Sequence, residues 1–297
     1  MPHAAVECWR QLTSVHPFFP ADKLFVIAGP CVVEDDKVNL EVARELARLG
    51  PQVPGGIIFK ASFDKANRSR KGSARGPGVN AGLGALRRVR EETGMTVITD
   101  VHLPAQCDEA AESVNALQIP AFLCRQTDLL EAAGATGKPV NVKKGQWLHP
   151  EGMSGAVDKV RGARQPGATA DIAVTERGTF FGYGDLVVDM RAFSRMREAT
   201  GAPVIFDATH SVQRPGLGEK GSSGGEREFI QTLALAAVAA GANGLFIETH
   251  PDPDRAPSDG PNMLPLSRLE DLLERVVAVW EQVNRVRHAG VTEQANR

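Results

Sequence analysis

The chain has 297 residues, enough to bury a sizeable core without disulfide or metal staples. Lys and Arg total 34 against 36 Asp and Glu, a formal charge of −2, so neither a nucleic acid nor an anionic membrane surface is expected as a partner. Hydrophobic residues make up 42% and charged residues 24%, which excludes general disorder, and no apolar run approaches the ~20 residues of a membrane span.

Cys8, Cys31, Cys107 and Cys124 are dispersed and form no CxxC pair, which argues against a disulfide scaffold or a zinc ribbon. The first twenty residues lack the basic-then-apolar pattern of a signal peptide. A reducing, cytoplasmic setting is the expectation.

Short β-branched runs recur in chain order: LFVIAG (24–29), GIIFKA (56–61), TVITDV (96–101), ALQIP (116–120), PVNVKK (139–144), DIAVTE (171–176), PVIFDA (203–208) and GLFIET (244–249). Most are continuously apolar, the pattern of strands buried on both faces in a parallel sheet. The segments between them read as helices. VNLEVARELARL (38–49), LGALRRVREET (83–93), FIQTLALAAVAAGA (229–242) and LEDLLERVVAVWEQVNRVR (269–287) are the clearest. This alternation matches a (β/α)8 TIM barrel, an α/β fold. We expect one barrel domain over 1–297, with a short N-terminal extension to about residue 22. A doubly wound open sheet competes, but no GxGxxG turn follows the first run. The Gly/Ser-rich stretch 216–225 reads as a flexible loop of the barrel.

In such barrels the chemistry sits where strands end. Here the strand exits carry Cys31; Lys60, Ser62, Lys65, Asn67 and Arg68; Asp100 and His102; Arg125 and Gln126; Lys143, Lys144 and Gln146; Glu176 and Arg177; Asp207 and His210; and Glu248, His250 and Asp259. Taken singly, each Lys or Arg is an ordinary solvated rim charge. Taken together, Lys60, Lys65, Arg68, Arg125, Lys143 and Arg177 would repel one another unless an anion neutralised them, so the mouth reads as a site for a multiply charged anion. Arg and Lys suit phosphate and carboxylate groups.

Cys31, His210, Glu248 and Asp259 come from the first, seventh and eighth exits, which adjoin when a barrel closes. A thiolate, an imidazole and two carboxylates could hold Zn2+, Fe2+ or Mn2+. Composition alone leaves open the plainer readings, in which Cys31 is a small buried hydrophobe and His210 a structural hydrogen-bonder. GxxxxGK[ST] and GxSxG are absent, so P-loop and serine-hydrolase readings have no basis. A Schiff-base aldolase using Lys60 or Lys143, and a phosphosugar-binding barrel without catalysis, stay as alternatives.

The run Phe59-Lys60-Ala61-Ser62-Phe63-Asp64-Lys65-Ala66-Asn67-Arg68-Ser69, with Arg75-Gly76-Pro77-Gly78, resembles the hallmark of the 3-deoxy-D-manno-octulosonate 8-phosphate synthase family. So do Gln118-Ile119-Pro120-Ala121-Phe122-Leu123-Cys124-Arg125-Gln126, Asn141-Val142-Lys143-Lys144, Phe206-Asp207-Ala208-Thr209-His210 and Ser258-Asp259-Gly260-Pro261. The resemblance runs over about residues 24–285. It implies a TIM barrel that condenses phosphoenolpyruvate with D-arabinose 5-phosphate and water, releasing inorganic phosphate, for the inner core of lipopolysaccharide. It assigns Lys60, Ser62 and Lys65 to the phosphoenolpyruvate carboxylate and its surroundings. Ala121 (backbone), Lys143 and Arg177 go to its phosphate, with Arg125 near by. Asn67, Arg68 and Ser69 go to the sugar phosphate, reached in part across a subunit interface of a homotetramer. Asp100 and Gln146 are further candidates at the substrate mouth, and Lys60, Lys65, Lys143 and His210 are the candidate catalytic groups.

The family has a metal-independent class with Asn in place of the first-strand cysteine. Cys31 therefore points to the metal-dependent class, with Cys31, His210, Glu248 and Asp259 as ligands. The related 3-deoxy-D-arabino-heptulosonate 7-phosphate synthases typically carry Lys-Pro-Arg-Thr where this chain has Lys65-Ala66-Asn67-Arg68, which favours the five-carbon acceptor. Arg70, Leu103 and the loop 214–225 depart from the family pattern.

Overall fold

The computed structural model describes residues 17–67, 74–165, 171–218 and 224–295. Eight parallel strands lie side by side in chain order: β1 (Phe25–Gly29), β2 (Ile57–Lys60), β3 (Val97–Asp100), β4 (Ala116–Ile119), β5 (Val140–Lys143), β6 (Ile172–Glu176), β7 (Val204–Asp207) and β8 (Gly244–His250). β8 pairs back onto β1, so the sheet is closed. The crossover helices are α1 (Asp36–Leu49), α2 (Val79–Thr93), α3 (Gln106–Ser113), α4 (Thr127–Ala135), α5 (Ser154–Gly162), α6 (Ala192–Thr200) and α7 (Ile230–Ala239), and α8 (Leu269–Ala295) follows β8. The result is a (β/α)8 barrel. No described helix is long and apolar enough to cross a membrane.

The apolar runs are continuous because each strand buries both faces. Inside the barrel, Phe25, Ile27, Ile58, Ile98, Ala116, Ala173, Ile205 and Phe246 pack with Phe19. Alternate residues such as Val26, Phe59, Val97, Leu117 and Val142 face outward onto the helices, against Val42, Leu46, Leu86 and Leu273. Residues 17–22 are the described part of the expected extension, and Phe19 closes the barrel bottom. Its ring lies 5.9 Å from that of Phe25, and the backbone N–H groups of Phe18 and Phe19 both donate to the Asp171 carboxylate.

The register brings polar residues to one layer above this core. Gly29 stands opposite Glu248, Asp207 opposite Phe246, Lys143 opposite Thr175 and Asp100 opposite Gln118. Gly29 permits a close approach of β1 to β2: a Cβ there would meet the Lys60 carbonyl oxygen at 2.1 Å. Two hairpins rise from the same end. Thr179–Gly182 pairs with Asp185–Val187 through Tyr183 and Gly184, both at positive φ (54° and 87°), the backbone a two-residue hairpin turn requires. Gln213–Arg214 pairs with Gly224–Gly225, so the flanks of the expected flexible loop are ordered into a ladder, and 219–223 lie outside the described residues.

Candidate active site

The strand ends open into a cavity of about 920 Å³, lined among others by Lys60, Lys65, Asn67, Asp100, Ala121, Lys143, Gln146, Arg177, His210 and Asp259. A groove of about 880 Å³ on the solvent side of α1 contains none of these residues.

Three lysines meet three carboxylates at the cavity floor. Lys60 Nζ stands 3.2 Å from both Asp100 Oδ2 and Glu248 Oε1. Lys65 Nζ is 3.6 Å from Glu248 Oε1. Lys143 Nζ is 2.6 Å from Asp207 Oδ2. Arg177 has no carboxylate within ion-pair distance among the described residues. It donates to the His210 carbonyl at 2.6 Å and to Gln213 Oε1 at 2.7 Å. The expected mutual repulsion of a cationic ring is thus corrected: much of that charge is balanced from within. The reason is that β3 and β7 end in Asp100 and Asp207 and β8 carries Glu248 near its end.

These pairings set the ionisation of the groups. Burial alone would raise the Asp100 carboxyl, but Lys60, Lys65 and Lys143 override it and hold it well below its ordinary value. Burial also opposes charge on Lys65, yet Cys31, Glu248 and Asp100 keep it well above the usual lysine value. For Lys143 burial prevails over Asp207 and lowers the ammonium.

Asp100 is also the end of a buried hydrogen-bond chain. Thr175 Oγ1 donates to Asn141 Oδ1 at 2.8 Å, Asn141 Nδ2 to Gln118 Oε1 at 2.8 Å, and Gln118 Nε2 to Asp100 Oδ1 at 2.7 Å. Ser62 Oγ donates to the other Asp100 oxygen. The chain fixes the carboxylate that pairs with Lys60. Its only sequence trace is a polar residue set inside an apolar run, as in ALQIP and PVNVKK.

Three further groups gather beside Lys60. The ligand atoms of Cys31, Glu248 and Asp259 all lie within 4.8 Å of one another. Cys31 Sγ donates to Asp259 Oδ2 at 3.0 Å. His210 Nε2 is 3.5 Å from Glu248 Oε2, and Nδ1 is 2.8 Å from Asp207 Oδ2. Asp207 therefore orients the imidazole with Nε2 toward the acidic cluster, as carboxylates do when they hold the far nitrogen of a metal-ligating histidine. Asp259 holds φ at 56°, a left-handed conformation kept where the surroundings impose it. Burial first, then Asp259 and Glu248, push the Cys31 thiol well above its ordinary value. A divalent cation there would offset all three effects, so the donor set fits such an ion.

The expected site residues fall into four groups. Lys60, Lys65, Asn67, Asp100, Ala121, Lys143, Gln146, Arg177, His210 and Asp259 share the cavity. Cys31, Ser62 and Glu248 are buried at its base. Arg125 is exposed and is not among the residues of the cavity wall. Arg68 and Ser69, with Arg70, lie outside the described residues. Asp207, His102 and Gln213 also line the cavity. The sequence pointed to Asp207 and His102 only by their place at strand ends. Gln146 Oε1, Arg177 Nε and His102 Nδ1 are buried without a hydrogen-bond partner among the described residues. Buried polar atoms are rarely left so, and these three belong to residues that open onto one space.

The DAHP synthetase I family model matches residues 20–285. The 2-dehydro-3-deoxyphosphooctonate aldolase of Rhodopseudomonas palustris (strain HaA2) is 58% identical over 254 residues, covering 86% of this chain and 87% of that protein. Its counterpart in Bradyrhizobium diazoefficiens is 56% identical, with 85% and 88% covered. That of Nitrobacter winogradskyi is 56% identical, with 86% and 87% covered. A match of this length and identity makes the chain a member of the DAHP synthetase I family, among the 2-dehydro-3-deoxyphosphooctonate aldolases, which are the 3-deoxy-D-manno-octulosonate 8-phosphate synthases under another name.

Proposed function

We propose that this chain condenses phosphoenolpyruvate with D-arabinose 5-phosphate and water to give 3-deoxy-D-manno-octulosonate 8-phosphate and inorganic phosphate. The observation that carries the reading is the convergence, in one cavity, of the unpartnered atoms of Gln146 and Arg177 with Lys60, Lys65 and Lys143.

Lys143, Arg177 and the Ala121 backbone take the phosphoenolpyruvate phosphate. Lys60 and Lys65 take its carboxylate, with Ser62 steadying Asp100 beneath. Asn67 belongs to the sugar-phosphate end, together with Arg68 and Ser69. Carbon–carbon bond formation begins as C3 of phosphoenolpyruvate attacks the aldehyde carbon, whose oxygen takes up a proton and becomes a hydroxyl. Water adds at C2, where positive charge develops, and gives up a proton. The C2–O bond of the resulting hemiketal phosphate then breaks: the electron pair leaves with inorganic phosphate, and the C2 hydroxyl gives up its proton as it becomes the ketone. Fixed cations lower the cost of bringing two anionic substrates together and hold them as an oriented pair.

Cys31, His210, Glu248 and Asp259 would hold a divalent ion (Zn2+, Fe2+ or Mn2+), in keeping with the metal-dependent class of the family. When bound, that ion supplies Lewis acidity for the aldehyde, a sugar hydroxyl or water. The functional unit is a cytoplasmic homotetramer of single-domain subunits, with Arg68 and Ser69 reaching a neighbour's sugar phosphate and lipopolysaccharide as the pathway served.

Phosphate release from the two substrates tests the proposal. Arabinose 5-phosphate should be used far better than erythrose 4-phosphate, and borohydride with substrate should trap no imine. Comparable kcat/KM for the two acceptors overturns the choice of branch. A trapped imine overturns the mechanism in favour of a Schiff-base aldolase.

A further inference from the structure

Phe246 lies on β8 two residues before Glu248, so both side chains point into the barrel. Its ring is buried and sits beneath the cavity rather than in its wall. The Lys143 ammonium stands 3.5 Å from the ring centroid, and that of Lys60 stands 5.3 Å away. The His210 ring packs against the same ring with centroids 5.7 Å apart. Packing alone does not demand an aromatic residue, because the neighbouring inner-face positions of β2, β3 and β7 are filled by Ile58, Ile98 and Ile205. What an aromatic adds is a negative face, and a cation sits directly over it.

An ammonium has three N–H donors. Lys143 gives one to Asp207 Oδ2 at 2.6 Å. The ring attracts the charge from below without offering an oxygen that would fix a second donor. Lys143 Nζ also lies 3.5 Å from His210 Nδ1, a long contact to a nitrogen that Asp207 Oδ2 already engages at 2.8 Å, so donor capacity remains for the cavity that Lys143 lines. Because the same ring abuts His210, it also sets the offset between the lysine and the imidazole.

We propose that Phe246 is a positioning residue for phosphoenolpyruvate: its ring face seats the Lys143 ammonium and aims its unused donors at the phosphate. This rests on the role given to Lys143 in the proposed reaction. The ring acts through the lysine and touches no substrate.

The test is a series with mono-, di- and trifluorophenylalanine inserted at position 246 alone. Each fluorine weakens the negative face while barely changing the ring's size. kcat/KM for phosphoenolpyruvate should fall stepwise, about tenfold across the series, as expected for losing one desolvated cation–π contact. The KM for arabinose 5-phosphate and the thermal midpoint should hold steady. A flat series overturns the proposal. So does a decline that follows the thermal midpoint instead of the fluorine count, or one that weakens both substrates equally, because either marks a packing role. Failure of the functional reading is seen separately, as absence of phosphate release by the unmodified protein.

Discussion

Replacing Lys144 by methionine should uncouple two cavity residues from the barrel wall. Lys144 and Glu176 are both buried, with Nζ 3.4 Å from Oε1. The same ammonium reaches the carbonyls of Gly145 (3.3 Å) and Leu148 (3.1 Å) and the hydroxyl of Thr179 (3.3 Å). Glu176 Oε1 in turn accepts the N–H of Arg177 at 3.0 Å and of Gly178 at 2.7 Å. The pair thus staples the ends of β5 and β6, and with them Gln146 and Arg177. Removing one partner of a buried pair costs about 3–5 kcal/mol, and two abandoned carbonyls place Lys144→Met near the middle, about 4 kcal/mol.

The pH dependence has a definite sign. Burial raises the Glu176 carboxyl above its ordinary value of 4.5, and Lys144 is the first group opposing that. Without Lys144 the folded state holds the proton more tightly still, while the unfolded chain releases it near the ordinary value. Stability of the variant should therefore fall as pH rises through that window, by up to about 1.4 kcal/mol per unit. Urea unfolding at fixed protein concentration should show a deficit that is larger near about pH 8 than near about pH 5. The KM for phosphoenolpyruvate should rise roughly tenfold, the loss of one hydrogen bond to a charged group. Adding Glu176→Gln should recover part of the stability. A Lys144→Met protein with wild-type stability near about pH 8 and an unchanged KM would refute the reasoning.

Other outcomes follow from the same geometry. Dipicolinate or EDTA should abolish activity, Mn2+, Fe2+, Co2+ or Zn2+ should restore some of it, and Cys31→Ala should fail to recover; full chelator resistance of the wild type sinks the metal site. Cys31→Asn should retain partial activity that ignores chelators. Mixing Arg68→Ala with Lys143→Ala should regain activity in verified hybrids, because some sites then combine two intact contributions; no regain counts against sites shared between subunits. Phe19→Ala should cost about 3–5 kcal/mol in urea unfolding and leave both KM values unchanged, since the ring plugs the end opposite the cavity; a shifted KM would tie the plug to the site.

All eight strands stand where the short β-branched runs place them, because a strand buried on both faces is mostly apolar and has no polar period. The strand-end rule by itself brings Lys60, Lys143, Arg177 and His210 to one mouth. Order along the chain, however, carries no information about register. Register alone decides that Asp207 lies beside Phe246 and that Gly29 meets Glu248. The internal neutralisation of the lysines, the Thr175–Asn141–Gln118–Asp100 chain and the Lys143–Phe246 contact all join residues distant in sequence. No local pattern encodes them, since each depends on where strands from different parts of the chain end. Arg125 marks the opposite limit: its place after β4 put it at the mouth by sequence, yet its side chain is exposed, because a strand end fixes the height of a residue in the barrel but not which way the following turn points it.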